Sequence, residues 1–75
     1  MELKIKSTKL GKTFTFFWFS SYVYVDTNCR EGTLGEQICS NGLTNCGSCL
    51  TATEETFEKV CRNWLRKHIR VCEGE

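Results

Sequence analysis

The sequence lacks proline and has no long apolar run. Among its 75 residues there is no Pro, one His and one Met. The most apolar stretch is "FTFFWFSSYVYV", about twelve residues broken by polar side chains, which is too short to cross a bilayer. Low-complexity segments are also missing, and aromatic residues make up 12% of the chain. This composition excludes a disordered chain and predicts a single folded domain, residues 1–75, with no membrane partner.

Catalytic motifs are missing too. The sequence contains no phosphate-binding loop, no paired-carboxylate arrangement and no metalloprotease motif. His68 and Cys72 are spaced as a thiol and base could be, but both fall on a helical stripe that should be buried. Cys46 and Cys49 form a Cys-x-x-Cys pair, but no helix follows at once to lower a thiol pKa. We therefore expect a protein that is not an enzyme and needs no cofactor.

The charges are distributed unevenly, although the formal net charge is only +1. Residues 1–25 carry four lysines against Glu2, and residues 59–72 carry five cations and no acid. Between them, residues 26–58 carry Arg30 against six acids. This pattern does not resemble a wholly basic nucleic-acid-binding protein.

The amino-terminal segment "MELKIKSTKL" contains lysines but no apolar core long enough for a secretory signal. We therefore expect a cytoplasmic protein, where disulfides are rare. The alternative is a secreted, disulfide-stapled domain, if the chain is a mature form with an added methionine.

Two hairpins are predicted in the first half of the chain. "ELKIKS" and "TFTFFWF" have strand patterns, and a turn at Leu10–Gly11 would pair Ile5 with Phe16 and Leu3 with Trp18. "YVYVD" reads as a third strand after a two-residue turn at Ser20–Ser21.

The second turn would place Phe19 opposite Tyr22 and Phe17 opposite Tyr24. "EQICS" is a candidate fourth strand, so the predicted meander covers about residues 2–40.

The clearest predicted element is an amphipathic helix over about residues 53–71. One stripe at helical spacing contains Phe57, Cys61, Trp64, His68 and Cys72. Thr51 with Glu54 fits a capping box, and Thr53 is a competing N-cap. The helix should cover the sheet face that carries Leu3, Ile5, Phe14, Phe16 and Trp18. The predicted fold is therefore α+β: a three- or four-stranded antiparallel β-meander followed by one C-terminal helix packed on one sheet face.

The six cysteines leave three interpretations open: free thiols, disulfides or a metal site. Three of them lie in the turn-rich segment "CSNGLTNCGSCL", residues 39–50. The leading interpretation has no metal, and the alternative is a four-thiolate zinc site formed by Cys39, Cys46, Cys49 and Cys61. Cys61 lies about 10 Å along the helix from Glu54. Any cross-link or metal should therefore join Cys61 to Cys46 or Cys49.

Two surfaces remain as candidates for partner binding. The uncovered sheet face should present aromatic and basic side chains, namely Phe17, Phe19, Tyr22, Tyr24, Lys4 and Lys6. The polar helix face presents Arg62, Arg66 and Arg70. A contiguous apolar patch favours a protein interface or a homodimer, whereas aromatics beside lysines are also typical of single-stranded nucleic-acid binding. A third reading is that the loop of residues 27–50 folds over the aromatics.

The leading functional prediction is a small, non-enzymatic protein-interaction module that binds a protein partner by surface complementarity. Its size and its lack of catalytic parts suit an inhibitor or accessory protein of the mobile-element type. The alternative is a small domain that binds single-stranded nucleic acid through the aromatic and lysine side chains of the sheet.

Overall fold

The computed structural model describes residues 1–26, 35–44 and 47–72, with the side chains of the final helical turn described only as far as Ile69. Its elements are β1 (Glu2–Ser7), β2 (Lys12–Phe19), β3 (Tyr22–Asp26), β4 (Glu36–Gln37) and α1 (Phe57–Cys72). The strands form one antiparallel sheet in the order β1-β2-β3-β4. The predicted α+β fold, with a four-stranded meander before one C-terminal helix, is confirmed.

The first hairpin has a longer turn than the sequence predicts. Ile5 pairs with Phe14 and Leu3 pairs with Phe16, so the predicted pairing was wrong by two residues. The reason lies in Ser7, which is buried and accepts hydrogen bonds from Leu10 N through its side chain (3.3 Å) and from Gly11 N through its carbonyl (2.9 Å). The resulting four-residue turn needs a left-handed residue only at its end, where Gly11 has a φ of 65°.

A two-residue change of register leaves every side chain on its predicted face, because side chains alternate with a period of two. The predicted core face of β1 and β2 therefore survives the correction.

The second hairpin has the predicted register. Phe19 lies opposite Tyr22, and Phe17 lies opposite Tyr24. Both turn residues are left-handed, with φ of 50° at Ser20 and 70° at Ser21. This backbone matches the twist of the flanking strands, but it costs a non-glycine residue roughly 1–2 kcal/mol. Strand pairing therefore holds the turn in a conformation that serine does not prefer.

The outer edge of β3 is paired along its length by two different segments. Tyr24 and Val25 pair with Gln37 and Glu36 of β4, which confirms the fourth strand over a shorter range than "EQICS". Beyond β4, Val23 accepts a hydrogen bond from Ile38 N (2.9 Å).

Residues 50–52 complete this edge. Val23 N donates to Leu50 O (3.1 Å), and Ala52 N donates to Ser21 O (2.9 Å). Gly35 allows β4 to approach β3, because a Cβ atom at this residue would collide with the carbonyl oxygen of Val25.

The helix begins later than predicted, and Thr53 caps the turn that leads into it. Thr53 N donates to Thr56 Oγ1 (2.9 Å), and Thr56 N donates to Thr53 Oγ1 (3.3 Å), so the two threonines form a reciprocal cap. The predicted Thr51–Glu54 box is wrong, because Thr51 is extended and forms a bridge with Tyr22. Residues 54–56 form a turn, and α1 runs from Phe57.

The core lies between α1 and the sheet face predicted for it. Trp64 is buried against two strand residues, with its ring centroid 5.7 Å from that of Phe16 and 6.3 Å from that of Phe14, both edge-on. His68 stacks on Trp64 at 4.6 Å. The other buried hydrophobic residues of this core are Ile5, Val23, Val25, Ile38, Ala52, Phe57, Cys61 and Leu65. Within the described part of the chain, α1 is too short and too polar to cross a membrane.

Candidate interaction surface and cysteine cluster

Four aromatic side chains lie together on the sheet face opposite α1. This aromatic face consists of Phe17 and Phe19 from β2 and Tyr22 and Tyr24 from β3. They form two directly opposed cross-strand pairs, Phe17 with Tyr24 and Phe19 with Tyr22. Phe17 and Tyr24 are half-buried, whereas Phe19 is 60% exposed and Tyr22 is 41% exposed. The exposed end of the face is therefore the β2–β3 turn.

A chain of hydrogen bonds joins the other end of the aromatic face to a cysteine. Gln37 lies opposite Tyr24 in the sheet, and its side-chain Nε2 donates to the Tyr24 hydroxyl (3.3 Å). The Cys49 thiol donates to Gln37 Oε1 (3.2 Å). The sequence pattern did not identify Gln37 as part of this surface. The register of β4 against β3, which places residue 37 opposite residue 24, is the feature that brings it there.

The predicted basic residues of β1 lie on the same sheet face. Lys4 and Lys6 alternate with the core residues of β1 and are exposed. Lys4 Nζ lies 3.9 Å from Glu2 Oε1, an exposed pair of little energetic value. Glu2 also lies directly opposite Phe17, so a carboxylate, not only lysines, borders the aromatics. The rim of this face is mixed in charge.

The predicted arginines form a separate surface. Arg62 and Arg66 are exposed on α1, which covers the opposite face of the sheet. Arg62 forms an ion pair with Glu58, one helical turn earlier, with Nη2 2.9 Å from Oε1. The side chain of Arg70 lies outside the described residues. The structure therefore separates the predicted partner-binding residues into two surfaces on opposite sides of the molecule.

The cysteines whose side chains the structure describes are in two chemical states. Cys39 is disulfide-bonded, to a cysteine whose side chain lies outside the described residues. Cys49 and Cys61 are free thiols. The predicted cross-link of Cys61 to Cys46 or Cys49 is therefore wrong. Chain length allows Cys61 to reach those residues, but its side chain points from α1 into the apolar core.

Burial also decides the chemistry of Cys61. Desolvation raises the pKa of this thiol to about 12, only partly opposed by the nearby Arg62 guanidinium. It behaves as a small core hydrophobe, which was one of the sequence-based readings.

The zinc alternative does not match these states. Cys39 has its sulfur in a disulfide, and Cys61 is sealed in the core. Among the residues that the structure describes, no three His, Cys, Asp or Glu side chains come together as metal ligands would. Cys46, the fourth proposed ligand, lies outside those residues.

A shallow pocket of about 180 Å³ lies between the Cys39–Gly42 turn and α1. Its helical lining includes Val60, Asn63 and Lys67. Small-molecule sites usually occupy about 300 Å³ or more. The pocket is therefore a weaker candidate for a functional site than the aromatic face.

Comparison with known proteins identifies no relative: no protein family matches the chain, and no similar protein was found among curated proteins or solved structures. The function must therefore be argued from the surface itself.

Proposed function

We propose that this chain is a non-enzymatic protein-interaction module that binds a protein partner through the aromatic face. The observation that carries the proposal is the exposure of Phe19 and Tyr22 beside two further aromatics on the sheet face that α1 does not cover. Burial of apolar area is favourable by about 25 cal/mol per Å². Aromatic residues are also the ones that most often dominate binding energy at protein interfaces.

The chemistry around the aromatics favours a protein partner. Tyr22 and Tyr24 combine a large apolar ring with a hydroxyl, which suits an interface that is apolar at its centre and polar at its rim. Lys4 and Lys6 flank the aromatics on the same face and would complement acidic side chains of the partner. By covering part of that partner, such a module would act as an inhibitor or accessory protein.

The second candidate is single-stranded nucleic acid, which the pairing of lysines with aromatics on one face would suit. The position of Glu2 argues against it. This carboxylate lies opposite Phe17, where it would repel a phosphate backbone that follows the aromatics. We therefore rank the protein partner first.

The test replaces the two most exposed aromatics, as Phe19→Ser with Tyr22→Ser. Both residues lie outside the helix-facing core, so circular dichroism should show unchanged helix content. Leu43→Ser is the matched control, because Leu43 is 45% exposed and does not belong to the aromatic face. Sedimentation equilibrium measures self-association. A photo-crosslinking residue at position 19, with position 43 as control, captures a heterologous partner, whose affinity is then measured with purified proteins.

We expect the double variant to weaken self-association or partner affinity by at least about tenfold, as loss of interface aromatics does. The Leu43→Ser variant should bind as the wild type does. Equal affinity of the wild type and the double variant would overturn the proposal. So would an oligonucleotide that binds with a steep salt dependence and is lost in the double variant, because that result would assign the face to nucleic acid.

A further inference from the structure

Cys39 and Cys49 face each other across a short antiparallel bridge. The hydrogen bonds on either side define its type: Ser40 N donates to Ser48 O (2.8 Å), and Leu50 N donates to Ile38 O. These bonds join the neighbours of the two cysteines and not the cysteines themselves, so the cysteines form a non-hydrogen-bonded pair. In such a pair the Cα atoms are about 4.5 Å apart, and the side chains extend from the same side.

This arrangement satisfies the backbone requirement of a disulfide, which spans about 4.4–6.8 Å between Cα atoms. Yet the two cysteines are not joined to each other. Cys39 is disulfide-bonded to a third cysteine, while Cys49 carries a free thiol. A cysteine with a free thiol therefore lies directly across the bridge from a disulfide-bonded cysteine, in a backbone frame that already fits a bond between them.

We propose that Cys39 and Cys49 form an intramolecular thiol–disulfide exchange site. The Cys49 thiolate attacks the sulfur of Cys39, a Cys39–Cys49 bond forms, and the bond from Cys39 to the third cysteine breaks. The third cysteine leaves as a thiolate and takes up one proton, which balances the proton that Cys49 lost. The step consumes no oxidant or reductant, because one disulfide and one thiol are present before and after it. Attack from within the chain also reaches Cys39, which is only 1% exposed.

Exchange would also change the hydrogen bonding of the Gln37 side chain. In the described state the Cys49 S–H donates to Gln37 Oε1, and Gln37 Nε2 donates to the Tyr24 hydroxyl. A Cys49 sulfur in a disulfide has no hydrogen to donate, so Gln37 loses one of its partners. The Gln37 side-chain amide is therefore a reporter of exchange, whether or not the aromatic face binds a partner.

The experiment maps the disulfides of the folded, oxidised protein. The wild type is held at neutral and mildly alkaline pH without reductant, quenched with acid, alkylated and digested with pepsin at low pH, which prevents further exchange. Cleavage near Leu43 separates Cys39 from Cys49, and fragmentation of the linked peptides identifies the bonded cysteines. The side-chain amide resonances of Gln37 are followed by NMR in parallel.

Substitutions at Cys49 and Cys61 separate the roles of these two thiols. Cys49→Ser removes the nucleophile but keeps an O–H donor for Gln37, and Cys49→Ala serves as a second variant if the first is poorly folded. Cys61→Ala removes the second free thiol among the described residues, which is buried in the core and should not take part.

The wild type should contain both the Cys39–Cys49 link and the original link. Their rate of interconversion should rise about tenfold per pH unit while the thiols are mostly protonated, because the thiolate is the attacking species. Cys61→Ala should behave in the same way, and Cys49→Ser should hold a single link. A wild type in which Cys49 is always fully alkylated, with no Cys39–Cys49 link at any pH, would overturn the proposal. So would exchange that persists in Cys49→Ser.

Discussion

The two faces of the sheet are built from alternating residues of the same strands, yet one face is buried and the other is partly exposed. On the covered face, Phe14, Phe16, Val23 and Val25 are at most 1% exposed. On the open face, their neighbours Phe19 and Tyr22 are 60% and 41% exposed. Both sets are apolar, so hydrophobicity alone does not determine which face is buried. The difference lies in α1, whose apolar stripe covers one face.

The residue types of β3 show how the sequence distinguishes the faces. Its valines point toward α1, and its tyrosines point away. A β-branched aliphatic side chain packs well in a dry core, whereas a tyrosine suits a surface with access to water or a polar partner. The alternation "YVYV" therefore separates a face suited to the core from a face suited to the surface.

The two faces differ in the hydrogen bonding of their polar groups. Trp64 Nε1 is buried on the covered face and has no hydrogen-bond partner within the described residues. On the open face the Tyr24 hydroxyl is linked through Gln37 to Cys49. A buried donor without a partner costs stability, so the contribution of Trp64 to the core comes from the packing of its ring.

On the covered face, Trp64→Ala should cause the largest loss of stability. This substitution removes the ring that packs edge-on against Phe14 and Phe16, and such truncations cost about 3–5 kcal/mol. A loss of this size is comparable to the whole stability of many small domains. The free energy of unfolding in denaturant measures the loss; if the variant does not fold, the free energy of unfolding of the wild type is a lower limit on that loss.

Trp64→Phe is the control for this prediction. It keeps an aromatic ring and removes the unpartnered indole N–H, so we expect it to lose less stability than Trp64→Ala. A loss below about 1 kcal/mol in Trp64→Ala, small for the truncation of a buried side chain, would contradict the packing of α1 described here.

The stability of the protein should depend on pH through His68, which lies at the edge of the covered face. Burial lowers the pKa of this histidine from its usual 6.5, and the charge of Lys12 lowers it further. Because the unfolded chain then binds a proton more readily than the folded one, stability is complete above pH 6.5 and falls as the pH is lowered toward the folded pKa. Unfolding free energies of the wild type and His68→Gln, measured over the same pH series, isolate this contribution.

His68→Gln has no ring that can be protonated. Below pH 6.5 the unfolding free energy of the wild type should therefore fall relative to that of His68→Gln. A difference that stays constant across the series would mean that the half-buried position of His68 beside Trp64 and Lys12 does not lower its pKa.

A substitution on the open face should have the smallest effect on stability. Phe19→Ala removes a side chain that is 60% exposed, and we expect a change within about 0.5 kcal/mol, as for most surface substitutions. Chemical denaturation at a concentration where the protein is monomeric gives this value. A loss of several kcal/mol would show that Phe19 is covered within the monomer and would remove the contrast between the faces.

Much of the fold is predictable because its signals are local. The alternation in β1, β2 and β3 and the helical spacing of Phe57, Cys61 and Trp64 give the correct buried faces. The helix start was missed by a few residues, because Thr51 and Thr53 are both good caps in isolation. Thr51 instead pairs with Tyr22, and Thr53 caps the turn of residues 54–56 that precedes the helix.

The candidate site was less predictable. The four aromatics of the open face follow from the register of the second hairpin, which the Ser20–Ser21 turn predicts correctly. The sequence analysis did not predict the role of Gln37 or the pairing of Cys39 with Cys49. Gly42 and Gly47 lie between these two cysteines, and their positive φ values allow the chain to reverse direction there. The positions of Gln37, Cys39 and Cys49 depend on how residues 36–38 and Leu50 pair with β3.

By itself, the sequence determined the order of the elements and the face on which each side chain lies, because these follow from periods of 2 and 3.6 residues within short segments. Only the tertiary structure decided which cysteines meet, which segments pair with β3, and by how many residues β1 and β2 are offset. Those outcomes depend on contacts between distant parts of the chain, such as Leu50 with Val23 and Cys49 with Cys39. Local pattern carries no information about such contacts until the helix and the sheet have come together.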